Sequence, residues 1–406
     1  MNRTILLIDM NSYFASVEQK CNPVLQGKPV VVCGYGRTIV VTASYEAREY
    51  GIKTGMTIPE AKKLCPNVII VYGNIDKYID TTLKIHQILL RFTDRVEPFS
   101  IDECFMDVTD VEKLFGDGLT IAKKIKQLIK EELGLNCSIG IGENKIIAKF
   151  ASKLKKPDGL CKIEKEDIKN IFSLLSVREL QGIGIGKKIA EKLESIGILT
   201  AQQLGDANLD FLIKHFGILG YHLKKIGQGV DDSPVKIYDD KNYIKSFGHS
   251  HTLPTDTYDL NIIKSYILLM SEKVGVRLRK ENMLGRTVSL MIRYEDFDSF
   301  SKQYTIKHYI RTGYEIYKIA EKIFNQILPL KKAVRLVGVS ISNLIQDNKQ
   351  PFLFNRLQKY YQLADMVDSI NSKYGEFTVK PASLIIAEKF GILERCGIIG
   401  TSLIKK

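Results

Sequence analysis

Two adjacent carboxylates between two apolar runs constrain the fold of this chain more than any other feature. Asp102 and Glu103 lie between the runs at 95–101 and 104–108. Because side chains on a regular strand alternate between its faces, neighbouring acids converge only where the chain turns. The pattern therefore predicts a hairpin whose tip carries the acid pair, which is one way to hold a divalent metal ion.

The acid pair lacks a third carboxylate, and the best candidate lies far upstream at Asp9. Residues 3–9 have the apolar pattern of a buried strand that ends in this acid. A helix is expected to follow from about Ser12, which is a candidate N-cap. Asp107, which lies further along the same hairpin, is left out of the predicted metal site.

The order of elements in the N-terminal part of the chain predicts an α+β fold. Apart from a compact block at 24–76, the predicted elements run strand, helix, two strands, helix, strand. The helices are expected at 76–92 and 119–134, and the last strand at 137–141. This is the split β-α-β pattern of ferredoxin-like folds, and it places Asp9 on a strand next to the acidic hairpin.

Composition limits the class of protein. A chain of 406 residues is expected to form about two to four domains. The formal net charge of +13 favours a polyanionic partner, and a nucleic acid is favoured over a membrane surface.

The seven widely spaced cysteines predict free thiols and argue against a zinc site or a disulfide framework. Without a signal peptide or an apolar run of about 18 residues, the chain is expected to be cytoplasmic.

A stretch of alternating glycine and isoleucine predicts a helix-hairpin-helix motif. Gly182, Gly184 and Gly186 allow a tight turn, and the helix that follows presents free N–H groups that bind a backbone phosphate. Lys187 and Lys188 add positive charge there. A phosphate loop or a dinucleotide fingerprint is discounted, because no strand precedes the glycines and no G-K-[ST] is present.

The C-terminal part predicts a separate α+β domain and a tail. After a polar stretch at 231–245, residues 246–344 mix strands and helices with recurring Lys and Arg, among them Arg286. These residues form either a solvated basic face or a sheet edge that follows a phosphate backbone, and the overall charge favours the second. In the tail, an apolar tetrapeptide at 351–354 predicts a docking peptide, and a small helix is expected at 357–370.

Three carboxylates on a ferredoxin-like sheet suit two Mg²⁺ ions with oxygen ligands. Two metal ions about 4 Å apart stabilise the attacking and the leaving oxygen of an in-line phosphoryl displacement. A nucleoside triphosphate also needs hydroxyl and cationic partners, and the candidates are Tyr45, Arg48, Lys149 and Lys156.

Several motifs in order along nearly the whole chain resemble those of the Y-family translesion DNA polymerases. They are 8–18, 27–32, 42–48, 100–103, 140–142 with 144–145, 148–152, 156–159 and the hairpin at 182–190. The resemblance implies an α+β multidomain, right-hand polymerase with a ferredoxin-like palm, small fingers, a helical helix-hairpin-helix thumb and an α+β little finger. The implied domains are the palm at 1–23 and 77–167, the fingers at 24–76, the thumb at 168–232, a linker at 233–244, the little finger at 245–344 and a tail at 345–406.

The resemblance also implies roles for single residues. Asp9, Asp102 and Glu103 would bind two Mg²⁺ ions, together with the main-chain carbonyl of Met10. Phe14 would be the steric gate, whose bulky ring leaves no room for a 2′-hydroxyl. The other nucleotide contacts would be Tyr13, Val41, Thr42, Tyr45, Arg48 and Lys156, with Val40 and Val41 over the templating base.

By the same resemblance, the tail carries a peptide for a bacterial sliding clamp. Its residues would be Gln350, Leu353 and Phe354, with Pro351 in place of the more usual Leu. The implied activity is low-fidelity synthesis past damaged bases on primer-template DNA, from dNTPs and without proofreading. A nucleoid-associated monomer active in DNA repair is expected, and accessory subunits of the SOS response stay open. The tail is more similar to the UmuC-like branch than to the DinB-like one.

Two other functions stay open at this point. A two-metal nuclease or hairpin-bearing repair enzyme would share the acids and the DNA contacts, but it has no need of Phe14 or of the pair Tyr45 and Arg48. A DNA- and clamp-binding factor without activity is the non-enzymatic alternative. The presence of all three acids argues against that alternative.

Overall fold

Separate hydrophobic cores, formed by different parts of the chain, divide the protein into two units. The computed structural model describes residues 3–180, 182–237, 244–348, 355–385 and 389. Of these, the first unit contains 3–33 and 39–237, and the second contains 34–38 and 244–385. Within the described residues, no helix is long and apolar enough to cross a membrane. The cysteines that the structure describes are free thiols, as their spacing predicts.

The first unit contains eight strands and twelve α-helices among its described residues. The strands are β1 (Ile5–Met10), β2 (Val30–Cys33), β3 (Val40–Ala43), β4 (Ile69–Tyr72), β5 (Val96–Pro98), β6 (Glu103–Asp107), β7 (Cys137–Gly142) and β8 (Leu160–Lys162). The helices are α1 (Tyr13–Cys21), α2 (Tyr45–Glu49), α3 (Ile58–Leu64), α4 (Ile75–Leu89), α5 (Glu112–Phe115), α6 (Gly118–Leu133), α7 (Lys145–Leu154), α8 (Ile168–Leu174), α9 (Lys187–Ser195), α10 (Ala201–Asp206), α11 (Leu209–Phe216) and α12 (Leu219–Gly227).

The largest sheet of this unit has the strand order β5-β6-β1-β7-β8. Strand β1 lies in the centre and is antiparallel to both β6 and β7, which confirms the ferredoxin-like order predicted from the sequence. Helices α1, α4 and α6 pack against one face of the sheet, and α7 covers the other. Gly140 lets α7 lie directly on β7, because a Cβ there would stand 2.1 Å from the carbonyl oxygen of Ala148.

Helix α1 begins where the sequence predicts, but not with the predicted cap. Ser12 occupies the N-cap position with φ 43°, in the left-handed region, and its side chain makes no capping hydrogen bond. Its hydroxyl is buried without a hydrogen-bond partner. The capping prediction is therefore wrong, because the left-handed backbone differs from the extended conformation that a capping serine usually adopts.

A small three-stranded sheet, with the order β3-β2-β4, forms the block at 24–76 together with α2 and α3. Helix α3 starts with a capping box in which Thr57 and Glu60 bond to each other's backbone N–H. Val40 is fully buried in the small core of this block, and its place over the templating base stays a prediction. Val41, the next residue on β3, is half-buried.

The remaining helices of the first unit, α8 to α12, share a core of their own. In the predicted hairpin, Ile183 and Ile185 are buried, while the intervening glycines face solvent. Helices α10 and α12 cross closely at Gly205 and Gly227, since a Cβ on Gly227 would lie 2.4 Å from the backbone nitrogen of Gly205. The turn predicted at 182–186 lies directly before α9 in this group of helices.

The second unit is a four-stranded antiparallel sheet with the order β11-β10-β12-β9, covered on one face by two helices. Its elements are β9 (Ser246–Thr257), α13 (Leu260–Lys280), β10 (Met283–Tyr294), β11 (Ser299–Ile310), α14 (Gly313–Asn325), β12 (Val334–Ser342), β13 (Ile345–Gln346) and α15 (Asn355–Tyr374). The sequence pattern predicts helices near 259–280 and 312–327 and strands at 287–292 and 334–340, which correspond to α13, α14, β10 and β12. It misses β9 and β11, which lie at the two edges of the sheet and carry many polar residues.

Helix α15 is held on this unit by ion pairs with two largely buried arginines. Arg279 pairs with Asp368 through two hydrogen bonds of 2.6 and 2.8 Å. Arg311 bonds to Asp365 at 2.8 Å and to Asp347 at 3.3 Å. The small helix predicted at 357–370 is thus part of a longer one with partners in the domain that precedes it.

Candidate active site

The acidic hairpin and the central strand bring the three predicted carboxylate residues together. Strands β5 and β6 are antiparallel, and Asp9 on β1 lies directly opposite Glu103 on β6. At the tip, the backbone N–H of Met10 donates to the carbonyl of Asp102 at 2.9 Å. Sheet register therefore sets Asp9, Asp102 and Glu103 side by side, as the strand order predicts.

Each carboxylate is turned toward a partner of its own. Lys156 Nζ lies 2.5 Å from Asp9 Oδ2, and Lys149 Nζ lies 2.8 Å from Glu103 Oε2. The hydroxyl of Ser100 donates to Asp102. In the described part of the chain, no three His, Cys, Asp or Glu side chains are arranged so that they could already hold a metal ion.

Burial and mutual repulsion make this acid group favourable for a cation. Burial raises the pKa of Asp9 to about 6, against the opposing effect of Lys156, and the charges of Glu103 and Asp102 raise it further. Burial also raises the pKa of Asp102, against its hydrogen bond from Ser100, and Glu103 adds to the rise. An all-oxygen donor set of this kind fits Mg²⁺, whose charge would relieve the repulsion.

Lys149 forms an ion pair with Glu103, a candidate metal ligand, although the sequence predicts that it binds a triphosphate. Its side chain is only 8% exposed beside Glu103. The ammonium also stands 4.1 Å from the centre of the Phe99 ring. Lys149 is thus positioned to compensate the charge of Glu103, a role that sequence spacing does not reveal.

The predicted triphosphate partners Tyr45 and Arg48 share one turn of helix α2. The Arg48 guanidinium lies 4.8 Å from the centre of the Tyr45 ring, and its Nε donates to the carbonyl of Ala43 at 3.1 Å. Arg48 is exposed, and Thr42 on the preceding strand is half-buried. These contacts hold a hydroxyl and a guanidinium next to each other, where both can reach an anion.

Asn11 joins this pair to the rest of the site, and the sequence argument missed it. Its side-chain nitrogen donates to the Tyr45 hydroxyl at 3.0 Å and to Ser138 Oγ at 3.1 Å. Its side-chain oxygen accepts from the backbone N–H of Asp158 at 3.2 Å. The only signal in the sequence is a polar residue directly after the strand that ends at Met10.

The two aromatic residues at the start of α1 have different surroundings. Phe14 stacks on Tyr78 with ring centres 4.1 Å apart and planes at 10°. The Tyr13 hydroxyl bonds to the carbonyl of Tyr78 at 2.8 Å and to Thr82 at 2.7 Å, and the residue is 3% exposed. The side chain of Tyr13 therefore points into the core that includes residues of β1, and only its main chain is left for the nucleotide contact predicted there.

Cys104, which directly follows Glu103 on β6, forms a buried pair with His86. The sequence gives no reason to expect this pair. The Cys104 Sγ lies 2.8 Å from His86 Nε2. Burial lowers the pKa of His86 to about 4 and raises the pKa of Cys104. The pair is therefore a neutral thiol and a neutral imidazole, and it supports β6 against α4.

The predicted DNA-binding residues occur in both units. Gly182 and Gly184 have φ of 84° and 111°, conformations that favour glycine, and Lys187 and Lys188 are exposed at the start of α9. Arg286, on β10 of the second unit, has its guanidinium 5.5 Å from the centre of the Tyr309 ring. The predicted clamp residues lie outside the described residues: Gln350, Leu353 and Phe354.

Family models match both halves of the chain. The model of the impB/mucB/samB family matches residues 8–153. The model of the C-terminal domain of the impB/mucB/samB family matches residues 244–352. The first match contains all three candidate metal-binding acids, and the second contains Arg286.

Individual relatives match over nearly full length. A protein named DNA polymerase IV from Moorella thermoacetica is 40% identical over 384 residues, 93% of this chain and 95% of that protein. Another of the same name, from Clostridium kluyveri, is 38% identical over 96% of this chain and 100% of its own length. A solved Y-family DNA polymerase chimera, Dbh-Dpo4(243-245)-Dbh, superposes with a TM-score of 0.76 at 32% identity, covering 84% of this chain and 99% of that one.

Proposed function

The chain belongs to the impB/mucB/samB family of Y-family DNA polymerases, and from this premise we propose how its residues carry out translesion synthesis. The enzyme extends a primer with dNTPs on a damaged template, at low fidelity and without proofreading. The relatives named DNA polymerase IV favour the DinB-like branch over the UmuC-like branch that the tail indicated.

The observation that carries the proposed site is the cross-strand pairing of Asp9 with Glu103. With Asp102 at the hairpin tip, these acids would hold two Mg²⁺ ions. The metal ions would supply charge stabilisation for the oxygens of the phosphoryl group in transfer. Asp107 lies at the far end of β6, opposite Ile5, and remains outside this set.

Lys156 exchanges partners when the substrates enter. In this structure its ammonium pairs with Asp9 and so compensates a buried carboxylate. A metal ion on Asp9 would take over that compensation. The ammonium is then available to the triphosphate, together with Arg48 and the Tyr45 hydroxyl on α2. One lysine therefore serves the acid site and the substrate in turn.

Phe14 selects the sugar by bulk. Its ring is held flat against Tyr78, whose hydroxyl donates to Glu18 at 2.7 Å. Because the ring is stacked on a tyrosine that is itself held by a hydrogen bond, its position is fixed and a 2′-hydroxyl would meet it. Replacing Phe14 with Ala should admit ribonucleotides, measured as the ratio of kcat/KM for dNTP and rNTP. An unchanged ratio would remove Phe14 from this role.

The DNA and clamp contacts extend the proposal beyond the acids. Lys187 and Lys188 at the start of α9, and Arg286 on β10, would bind the phosphate backbone. Residues 350–354 would tether the enzyme to a sliding clamp and raise its effective concentration at the primer end. Deleting 350–354 should lower clamp-stimulated synthesis and leave clamp-free synthesis intact.

Primer extension with Mg²⁺ and dNTPs tests the proposed site. Asp102→Asn and Glu103→Gln keep the shapes of their side chains and should each lose extension by at least about a hundredfold, since each removes a metal-binding charge. Asp107→Asn is the matched control on the same hairpin and should extend normally. Primer shortening by the wild type would favour a nuclease. Full extension by Asp102→Asn would refute the assigned acids.

A further inference from the structure

Asn11 ties three separate segments of the first unit together. The residue is 4% exposed. Its amide bonds to Tyr45 on α2, to Ser138 on β7 and to the backbone of Asp158, in the loop that carries Lys156. The two proposed triphosphate-binding segments, α2 and that loop, are therefore held by one side chain.

The direction of each hydrogen bond follows from the groups involved. A backbone N–H can only donate, so the Asp158 N–H fixes the oxygen of the Asn11 amide on its own side. The NH₂ group of Asn11 then faces Tyr45 and Ser138. A second backbone donor, the N–H of Gly159, lies 3.2 Å from Ser138 Oγ and requires that oxygen to accept as well.

This orientation decides what the Tyr45 hydroxyl can do. Its oxygen accepts a hydrogen from Asn11, so its own hydrogen must point elsewhere. A phenol whose oxygen already accepts is a better donor to an anion, because successive hydrogen bonds polarise one another. With Arg48 over the same ring, the free direction of the hydroxyl is available to a phosphate oxygen.

We propose that Asn11 is a positioning residue for the incoming nucleotide: it makes Tyr45 a hydrogen-bond donor to the triphosphate and fixes Tyr45 relative to the Lys156 loop. This inference rests on the proposed function. It assigns to Asn11 no contact with the substrate, and its effect passes through Tyr45.

Asn11→Asp is the informative substitution. A carboxylate at this place still accepts from the Asp158 N–H, so the loop keeps its hydrogen bond. It also accepts the Tyr45 hydrogen and takes it away from the triphosphate. The added negative charge acts on the substrate directly as well, and Tyr45→Phe separates the two effects because it lacks the hydroxyl.

The test is a double-mutant cycle on the full-length chain. Dissociation constants of a correct dNTP are measured by fluorescence in complexes with a dideoxy-terminated primer and Ca²⁺, so that no chemistry occurs. Tyr45→Phe and Asn11→Asp should each weaken dNTP binding by about tenfold, the effect of losing a hydrogen bond to a charged group. In the Tyr45→Phe background, Asn11→Asp should weaken it by less than about threefold.

Independent, multiplying effects of the two substitutions would overturn the inference. If Asn11→Asp does not fold, Asn11→Ala replaces it in the cycle. It should raise the dissociation constant by about threefold with Tyr45 present and leave it unchanged in Tyr45→Phe. If the wild type extends primers but the cycle shows no coupling, the proposed function stands and only the role of Asn11 is refuted. A wild type without extension refutes the proposed function itself.

Discussion

At the scale of residues, the charged acids of the site lower the free energy of unfolding, and a bound metal ion would offset this loss. Asp9 and Asp102 both have raised pKa values, chiefly through burial, so their ionised forms are less favourable in the folded protein than in the unfolded chain. Lys156 and Lys149 compensate part of that charge. The site is therefore an example of function retained at the expense of stability.

Asp102→Asn should stabilise the metal-free protein at pH 8. It removes a buried charge while its side-chain oxygen can still accept from Ser100. A gain of roughly 1 kcal/mol corresponds to about 2–4 °C in the Tm of a unit of this size. Saturating Mg²⁺ should raise the Tm of the wild type and leave the variant unchanged. Asp107→Asn serves as the control, and a lower Tm for Asp102→Asn would contradict this expectation.

The pKa of Asp9 is raised to about 6, and this predicts how stability depends on pH. The dependence should have opposite signs in the metal-free and the Mg²⁺-bound protein. In the metal-free protein, Asp9 contributes less stability as pH rises from about 4 to 6, because ionisation is less favourable in the folded state. A metal ion needs the ionised form, so Mg²⁺ stabilisation should fall as pH drops below about 6. Thermal shifts measured with and without Mg²⁺ from pH 5 to 8 would test this, and a constant Mg²⁺ shift would rule it out.

Which site residues the sequence reveals depends on how far apart their partners lie. Asp9, Asp102 and Glu103 could be predicted because strand pairing follows from short apolar patterns and a hairpin. Asn11 could not, since its partners Tyr45 and Ser138 are 34 and 127 residues away. Ser12 misled the prediction, because a backbone conformation decides its role and sequence does not show it.

At the scale of elements, strand β9 carries two histidines whose neutral forms are favoured in the folded protein. Burial lowers the pKa of both His249 and His251 to about 4, with Lys273 acting on both and Arg277 on His249. Both cations lie on α13, and so does Tyr266, whose ring stacks on His251 at 5.6 Å. The neutral imidazoles thus fit a sheet–helix interface that protonation would disrupt.

The second unit should therefore lose stability as pH falls from about 6.5 toward 4. In the unfolded chain the histidines bind protons near their usual pKa, whereas in the fold they bind them only near 4. His249→Gln with His251→Gln should flatten this dependence of the unfolding free energy, measured by denaturant titration at several pH values. His308→Gln, on exposed β11, is the control. An equally steep decline in the double variant would refute the assignment.

Helix α15 illustrates what apolar pattern alone leaves out. Its helical character could be predicted from the sequence, as it could for α4, α6 and α7. The position of α15 could not be predicted, because its partners Arg279 and Arg311 lie in the domain that precedes it. Single charged residues so far apart in the sequence form no periodic pattern. Edge strands β9 and β11 were missed for a different reason, since polar residues outnumber apolar ones in both.

Asp368→Asn should loosen α15. Arg279, whose side chain is 5% exposed, would lose its bidentate carboxylate, a change that costs about 3 kcal/mol when one partner of a buried pair is removed. Limited proteolysis should then cleave within 355–385 faster than in the wild type. Asp296→Asn removes one carboxylate from the exposed pairing with Lys332 and should have little effect. Equal cleavage of both variants would show that α15 is held by apolar packing.

At the scale of the whole molecule, the proposed acid site and the proposed DNA contact Arg286 belong to different units. The core of the second unit is one cluster that includes residues of α13, α14 and their sheet. The first unit has its own cores around the acid hairpin, the small sheet and the helices α8 to α12. The cores of one unit include no residues of the other unit, so we expect each unit to unfold cooperatively by itself.

Calorimetry should accordingly resolve two transitions, and ligands should assign them. The residues proposed to bind Mg²⁺ and a dNTP all lie in the first unit, so these ligands should raise the Tm of one transition and leave the other in place. Glu103→Gln should abolish that shift. Primer-template DNA should raise both at low salt, because Lys187 and Lys188 lie in one unit and Arg286 in the other, and the shifts should shrink at high salt as counterion release weakens. A single transition that Mg²⁺ and dNTP move as a whole would mean that the two units unfold together.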